Sequence, residues 1–124
     1  MQEVKKVFPV GDALFSEGDV ATSLFFIKKG VVSIRKKQGS GELEVAKAIA
    51  GQVAGEVSFF NHQPRDETAI AVAYVESMEV SFETLRKDFN LIPDYLKTIM
   101  TGMVARLERA NEMIQKLQET SGKK

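Results

Sequence analysis

The 124 residues include no cysteine, no tryptophan, a single histidine and only three prolines. Without cysteine, disulfides, thiol catalysis and thiolate metal sites are excluded together. His62 lies in a polar stretch between Asn61 and Gln63 with no further ligands at suitable spacing, so it reads as solvated and no metal site is expected. A surplus of one charge is missing as well: 17 basic and 17 acidic residues give zero net charge and a pI of about 6.6. Binding a nucleic-acid backbone needs a basic excess on one face, so no nucleic-acid partner is expected. No apolar run approaches the ~18 residues of a membrane span, and Lys5 and Lys6 precede no apolar stretch of a secretory signal. The expectation is a soluble, cytoplasmic protein with no membrane partner. No nucleophile, base and orienting group converge in the sequence, so neither an enzyme nor a catalytic residue is expected.

What the chain does contain divides by period. From Lys6 to about Ser81, short alternating segments are broken by glycine turns, as in a small all-β unit. Leu24-Phe25-Phe26-Ile27 runs through Lys28-Lys29 to Gly30, and Val31-Val32-Ser33-Ile34 restarts beyond it, which predicts a hairpin turned at Gly30. Gly39-Ser40-Gly41 predicts a second turn, into a strand in which Leu43, Val45, Lys47 and Ile49 alternate with Glu44, Ala46 and Ala48. Thr68, Ile70, Val72 and Tyr74 then alternate with alanines, and Met78, Val80 and Phe82 with Ser77, Glu79 and Ser81. Such a series favours a sandwich or jelly-roll barrel. Lys28-Lys29 and Arg35-Lys36-Lys37 read as solvated strand edges, where lysine blunts further pairing. Phe25-Phe26 and Phe59-Phe60 read as core.

The last third changes to a helical period. Glu83 to Phe89 predicts a short helix, and Pro93 opens a long one. Leu96, Met100, Met103, Leu107, Ala110, Ile114 and Leu117 fall four or three residues apart, an apolar seam over about three heptads. The seam predicts a parallel helix pair in a homodimer, because its far end outreaches what a domain of this size can cover. Gly102 is tolerable within it, at a helix cost of about 1 kcal/mol. Ser121 to Lys124 are expected to fray.

Between the two parts lies the segment GEVSFFNHQPRDET, from Gly55 to Thr68. A glycine lets backbone N–H groups approach an anion, a glutamate accepts hydrogen bonds from vicinal hydroxyls, and an arginine grips a phosphate with a planar fork of donors. Gly55, Glu56 and, nine positions beyond it, Arg65 behind Pro64 therefore describe a pocket for a ribose phosphate.

In order and spacing, GDALFSEGDVATSLFFIKKGVVSI, AGEVSFFNHQPRDETAIAVA, a short helix, a proline and a long helix resemble the cyclic-nucleotide-binding domain of the catabolite activator protein and of kinase regulatory subunits. The resemblance covers about Val7 to Leu107, with framework glycines at Gly18, Gly30, Gly51 and Gly55. It implies a mainly β fold with flanking α: a β-roll, or jelly-roll-like barrel, over residues 1–92, and a long helix over 93–120 that serves as lid and dimer coiled coil. It implies that Gly55 and the N–H groups after it, at Val57 and Ser58, seat the cyclic phosphate of cAMP or cGMP. Glu56 would take the ribose 2′-hydroxyl and Arg65 the phosphate, with Thr68 a polar residue at the next strand. Thr98, Thr101, Arg106 and Asn111 are offered for the base. No cofactor beyond this ligand is implied.

The chain departs from the family after the arginine, where small residues are usual and Asp66 and Glu67 stand instead; Ala54 also replaces an aromatic before Gly55. A carboxylate about 4 Å from a phosphate at an effective dielectric near 20 repels it by about 4 kcal/mol, or about three powers of ten in affinity. Asp66 could instead fold onto Arg65, or both acids could turn to solvent; in a strand they would point to opposite faces. The reading is a regulatory module that binds a cyclic mononucleotide, cAMP before cGMP, and signals through its C-terminal helix. The alternative is a dimeric protein-interaction module that has lost the ligand, with Arg65 tied to Asp66 or Glu67.

Overall fold

The computed structural model describes residues 3–122, with side chains to Leu117. Its element order is β1 (Val4–Phe8), β2 (Ala13–Phe15), β3 (Ser23–Lys29), β4 (Val31–Gln38), β5 (Gly41–Ile49), β6 (Val53–Ala54), α1 (Val57–Asn61), β7 (Thr68–Ala71), β8 (Val75–Ser81), α2 (Phe82–Phe89) and α3 (Asp94–Gly122). Two antiparallel four-stranded sheets, ordered β1-β8-β3-β6 and β2-β7-β4-β5, make a β-roll. No helix among the described residues is long and apolar enough to cross a membrane.

The expected hairpin at Gly30 does not form. β3 pairs with β8 and β6, whereas β4 pairs with β7 and β5, so Gly30 is a corner at which the chain passes from one sheet to the other. Its φ is +96°, and a Cβ there would lie 2.1 Å from the Tyr74 carbonyl oxygen. The second turn is a hairpin, closed over Gly39-Ser40 by the pair Gln38↔Gly41. The register of β5 shifts opposite Ile34 and Arg35, and the inward phase changes with it: Leu43 and Val45 are half-buried before the shift, Ala48 is buried after it, and Ile49 faces out. Neither β3 nor β4 is an edge strand, so the reading of their lysines as edge residues is also corrected.

The roll closes on Phe15, Phe25, Ile27, Val32, Ile34 and Val75, with Ala69 and Ala71 showing the small face of β7 to this core. A second cluster, Leu24, Phe59, Val80 and Phe82 with Phe26, Phe60 and Phe89 against it, lies between the outer side of β3 and β8 and the helices. β3 thus buries Phe25 on one face and packs Phe26 on the other, which is why consecutive phenylalanines are tolerated in a strand. The Ser81 hydroxyl caps α2 by accepting from the Thr84 amide at 3.1 Å.

α3 begins one residue after Pro93 and extends through Ser121 and Gly122; Lys123 and Lys124 of the expected frayed end lie outside the described residues. The helix lies back along the roll. Asn61 donates to Glu108 at 3.0 Å, and Gln115 donates to the Lys37 carbonyl at 3.2 Å. Its half-buried stripe is Met100, Val104, Glu108, Asn111 and Gln115, whereas Met103, Leu107, Ile114 and Leu117 are exposed. The roll therefore covers the helix as far as Gln115, further than its size suggests, but by a stripe that shares only Met100 with the apolar seam.

Candidate functional site

Gly55 leaves β6 with φ +93°, and a Cβ at this position would meet Arg65 Nη1 at 2.7 Å and the Phe15 ring at 3.1 Å. Only glycine leaves the guanidinium room. Arg65 is 6% exposed. Its Nη1 donates to the Gly55 carbonyl at 3.1 Å, its Nη2 to the Ser23 carbonyl at 2.6 Å, and its Cζ lies 4.1 Å from the centre of the Phe15 ring. The Glu17-Gly18-Asp19 turn fixes the backbone beneath: Arg65 N–H donates to the Asp19 carbonyl, and Gly18 N–H to the Arg65 carbonyl. Arg65 Nε is buried without a partner, and no carboxylate among the described residues stands at ion-pair distance from this side chain. Burial draws its pKa below the ordinary guanidinium value, against the more distant carboxylates of Asp19, Glu79 and Glu56.

The acids do not take the arginine. Asp66 lies 3.5 Å from Lys36 Nζ on β4, so the alternative in which Arg65 is tied to Asp66 or Glu67 is not the arrangement found. The reason is direction: the guanidinium lies over Phe15 in the core, while the Asp66 carboxylate reaches β4. β7 starts at Thr68, so the alternation of a strand does not apply to Asp66 and Glu67, and both are half-buried. Burial pushes the Glu67 carboxyl up to about 7, with Asp66, Glu56 and Glu108 raising it further and Lys36 lowering it. Burial also raises Glu56, opposed by a backbone hydrogen bond and Arg65 and reinforced by Asp66.

Gly55, Glu56, Arg65 and Asp66 are thus gathered with Glu67, Lys36 and Glu108. Val57 and Ser58 are buried at the start of α1. Thr68 accepts from the Glu17 amide at 2.9 Å, which ties the turn below to β7. Of the residues offered for the base, Asn111 shares the roll-facing stripe with Glu108; Thr98, Thr101 and Arg106 are exposed, and Thr98 donates to its own helix at the Asp94 carbonyl. A cavity of about 780 Å³ is lined by Ser23, Ser58, Pro64, Glu79 and Phe82 among others, but not by Gly55, Glu56 or Arg65. Among the described residues, no group of His, Asp or Glu could hold a metal ion.

Four participants escape the motif: Phe15, Ser23, Lys36 and Glu108. Ser23 acts through its carbonyl, which carries no sequence signal, while Phe15 and Lys36 arrive by pairing across the sheet.

With this geometry, residues 5–89 match the family model for the cyclic nucleotide-binding domain. The chain belongs to this family. The cAMP-dependent protein kinase type II regulatory subunit of Drosophila melanogaster is 33% identical over 72 residues, 58% of this chain and 19% of that protein. The cAMP-activated global transcriptional regulator CRP of Salmonella typhimurium is 28% identical over 109 residues, 86% of this chain and 52% of that protein. The chain spans about half or less of these curated relatives. In fold it is similar to the cAMP-bound form of the EAL enzyme Bd1971, with a TM-score of 0.81 at 21% identity over 94% of this chain and 31% of that one. The N-terminal domain of a transcriptional regulator from Streptomyces coelicolor A3(2) gives a TM-score of 0.66 at 25% identity, over 89% of this chain and 79% of that one.

Proposed function

We propose that this domain binds a purine cyclic mononucleotide, cAMP in preference to cGMP, against Gly55, Glu56 and Arg65, and that occupancy is transmitted through α3. The observation that carries the reading is the state of Arg65: a buried charge held by two neutral carbonyls, with Nε left without a partner and no carboxylate paired to it. An uncompensated buried guanidinium is costly, and an anion presented to Nε removes the cost. A cyclic phosphodiester carries the single charge required. Glu56 on the same turn supplies the acceptor for a ribose hydroxyl, and the raised Glu67 carboxyl reduces the negative charge beside the seat at neutral pH. The preference for cAMP is supported by the kinase subunit and transcriptional regulator, both cAMP-dependent by name.

The exposed seam of α3 supports a homodimer, with Leu107 near its centre. A second reading, a dimeric protein-interaction module without ligand, draws on the carboxyls of Glu56, Asp66 and Glu67 around one seat. Calorimetry with cAMP, cGMP and cyclic dinucleotides separates the two. The sensor reading expects binding to cAMP and a loss of about 2 to 5 kcal/mol in Arg65→Ala. Absence of heat with every nucleotide, from a folded dimer, favours the interaction module.

A further inference from the structure

Arg65 is followed at once by two acids, yet neither compensates it, and the side chain that accounts for this comes from another element. Lys36 Nζ stands 3.5 Å from Asp66 Oδ2, and the lysine side chain is only 12% exposed. Its strand is paired with β7 as far as Arg35↔Thr68, where the ladder ends, and from there the charge of Lys36 also acts on Glu67. Lys36 thus faces both acids from β4, while Arg65 lies over Phe15 and keeps Nε unpartnered. Lys36 Nζ is the charged partner that Asp66 takes in place of the free donor on the arginine adjoining it.

Resting on the nucleotide-binding reading, we propose that Lys36 is a positioning residue that holds Asp66 away from Arg65 and cancels its charge, so that the seat stays cationic and open to a cyclic phosphate. Removing the lysine frees Asp66 to cap Arg65; removing both returns the seat to an arginine followed by a small residue. The structure thereby predicts a conditional effect: the importance of Lys36 depends on the presence of Asp66.

The test is a mutant cycle in the full chain, Lys36→Met, Asp66→Ala and the pair together, with cAMP affinity by calorimetry and the Arg65 Nε–H resonance by NMR in nucleotide-free protein. Lys36→Met is expected to weaken binding by about tenfold or more and to shift the Nε–H resonance toward that of an ion-paired guanidinium. The double variant is expected to return to within about threefold of wild type, with a wild-type resonance, and Lys36→Arg to bind like wild type. Recovery in the double variant also shows that loss in Lys36→Met is not unfolding. Lys36→Met with wild-type affinity and resonance overturns the proposal, as does a double variant as weak as Lys36→Met, which would make the lysine a direct ligand contact or a structural support. If wild type binds no nucleotide, the functional reading fails separately, and the Nε–H resonance still decides whether Lys36 keeps Asp66 from Arg65.

Discussion

Glu67 is the residue whose state links the site to pH. Its pKa of about 7 lies above the usual carboxylate range because folding buries it beside Asp66. The folded protein therefore holds a proton that the unfolded chain has released: between the unfolded value of 4.5 and about 7 stability declines as pH rises, and above about 7 the full penalty is present. Glu67→Gln is expected to raise the melting temperature at pH 8 and leave it little changed at pH 4. For the ligand the sign is the same. The phosphodiester keeps its charge throughout, so protonating Glu67 removes a repulsion, and cAMP affinity should rise roughly three- to tenfold from pH 8 to pH 6. A flat profile in wild type, or an equal slope in Glu67→Gln, would sink this account. At this scale the sequence was informative about Gly55, Glu56 and Arg65, whose chemistry is local. It was silent on Ser23, which acts through its backbone, and misleading on Lys36, since a lysine between two other cations reads as solvated until a carboxylate from 30 residues away is brought against it.

Among elements, β3, β4, β5 and β8 were legible from alternation and α2 and α3 from the change of period and Pro93, but pairing was not. Gly30 shows why. A glycine between two apolar runs is compatible with a hairpin or a corner, and only contacts far along the chain, here Tyr74, decide between them. Gly30→Ala would require a left-handed alanine with its Cβ against the Tyr74 carbonyl, and is expected to cost about 3 kcal/mol and lower Tm by more than about 10 °C. A shift below 2 °C would show that the corner relaxes freely. Between α1 and α3 the link is Asn61 to Glu108. Asn61→Ala should speed amide exchange in α3 from about Val104 to Gln115 while the exchange of β3 and β8 is unchanged. Uniform protection across both would mean that the hydrogen bond contributes nothing to holding the helix.

For the whole molecule the question is assembly. Met103 and Leu107, at 62% and 56% exposed, leave an apolar line on the outside of α3 that one protomer does not cover. Sedimentation should find a dimer at micromolar concentration and a monomer for Leu107→Lys. A monomeric wild type would remove the seam as an interface. The roll-facing stripe, Val104, Glu108, Asn111 and Gln115, was hidden in the sequence because its polar members look like a solvated face. The apolar seam drew the reading, although the intramolecular packing uses the stripe next to it.

These two stripes are offset by one position along nearly their whole length, Val104 beside Met103 and Glu108 beside Leu107. One position on an α-helix is a turn of about 100°. A protomer alone can hide its seam only by rolling the helix through that angle, which would turn Glu108 away from Asn61 and the acids of the seat. A second copy hides the seam without the roll. Pairing through the proposed dimer seam therefore leaves the Asn61–Glu108 contact in place, so a nucleotide titration is expected to give the same affinity at every protein concentration.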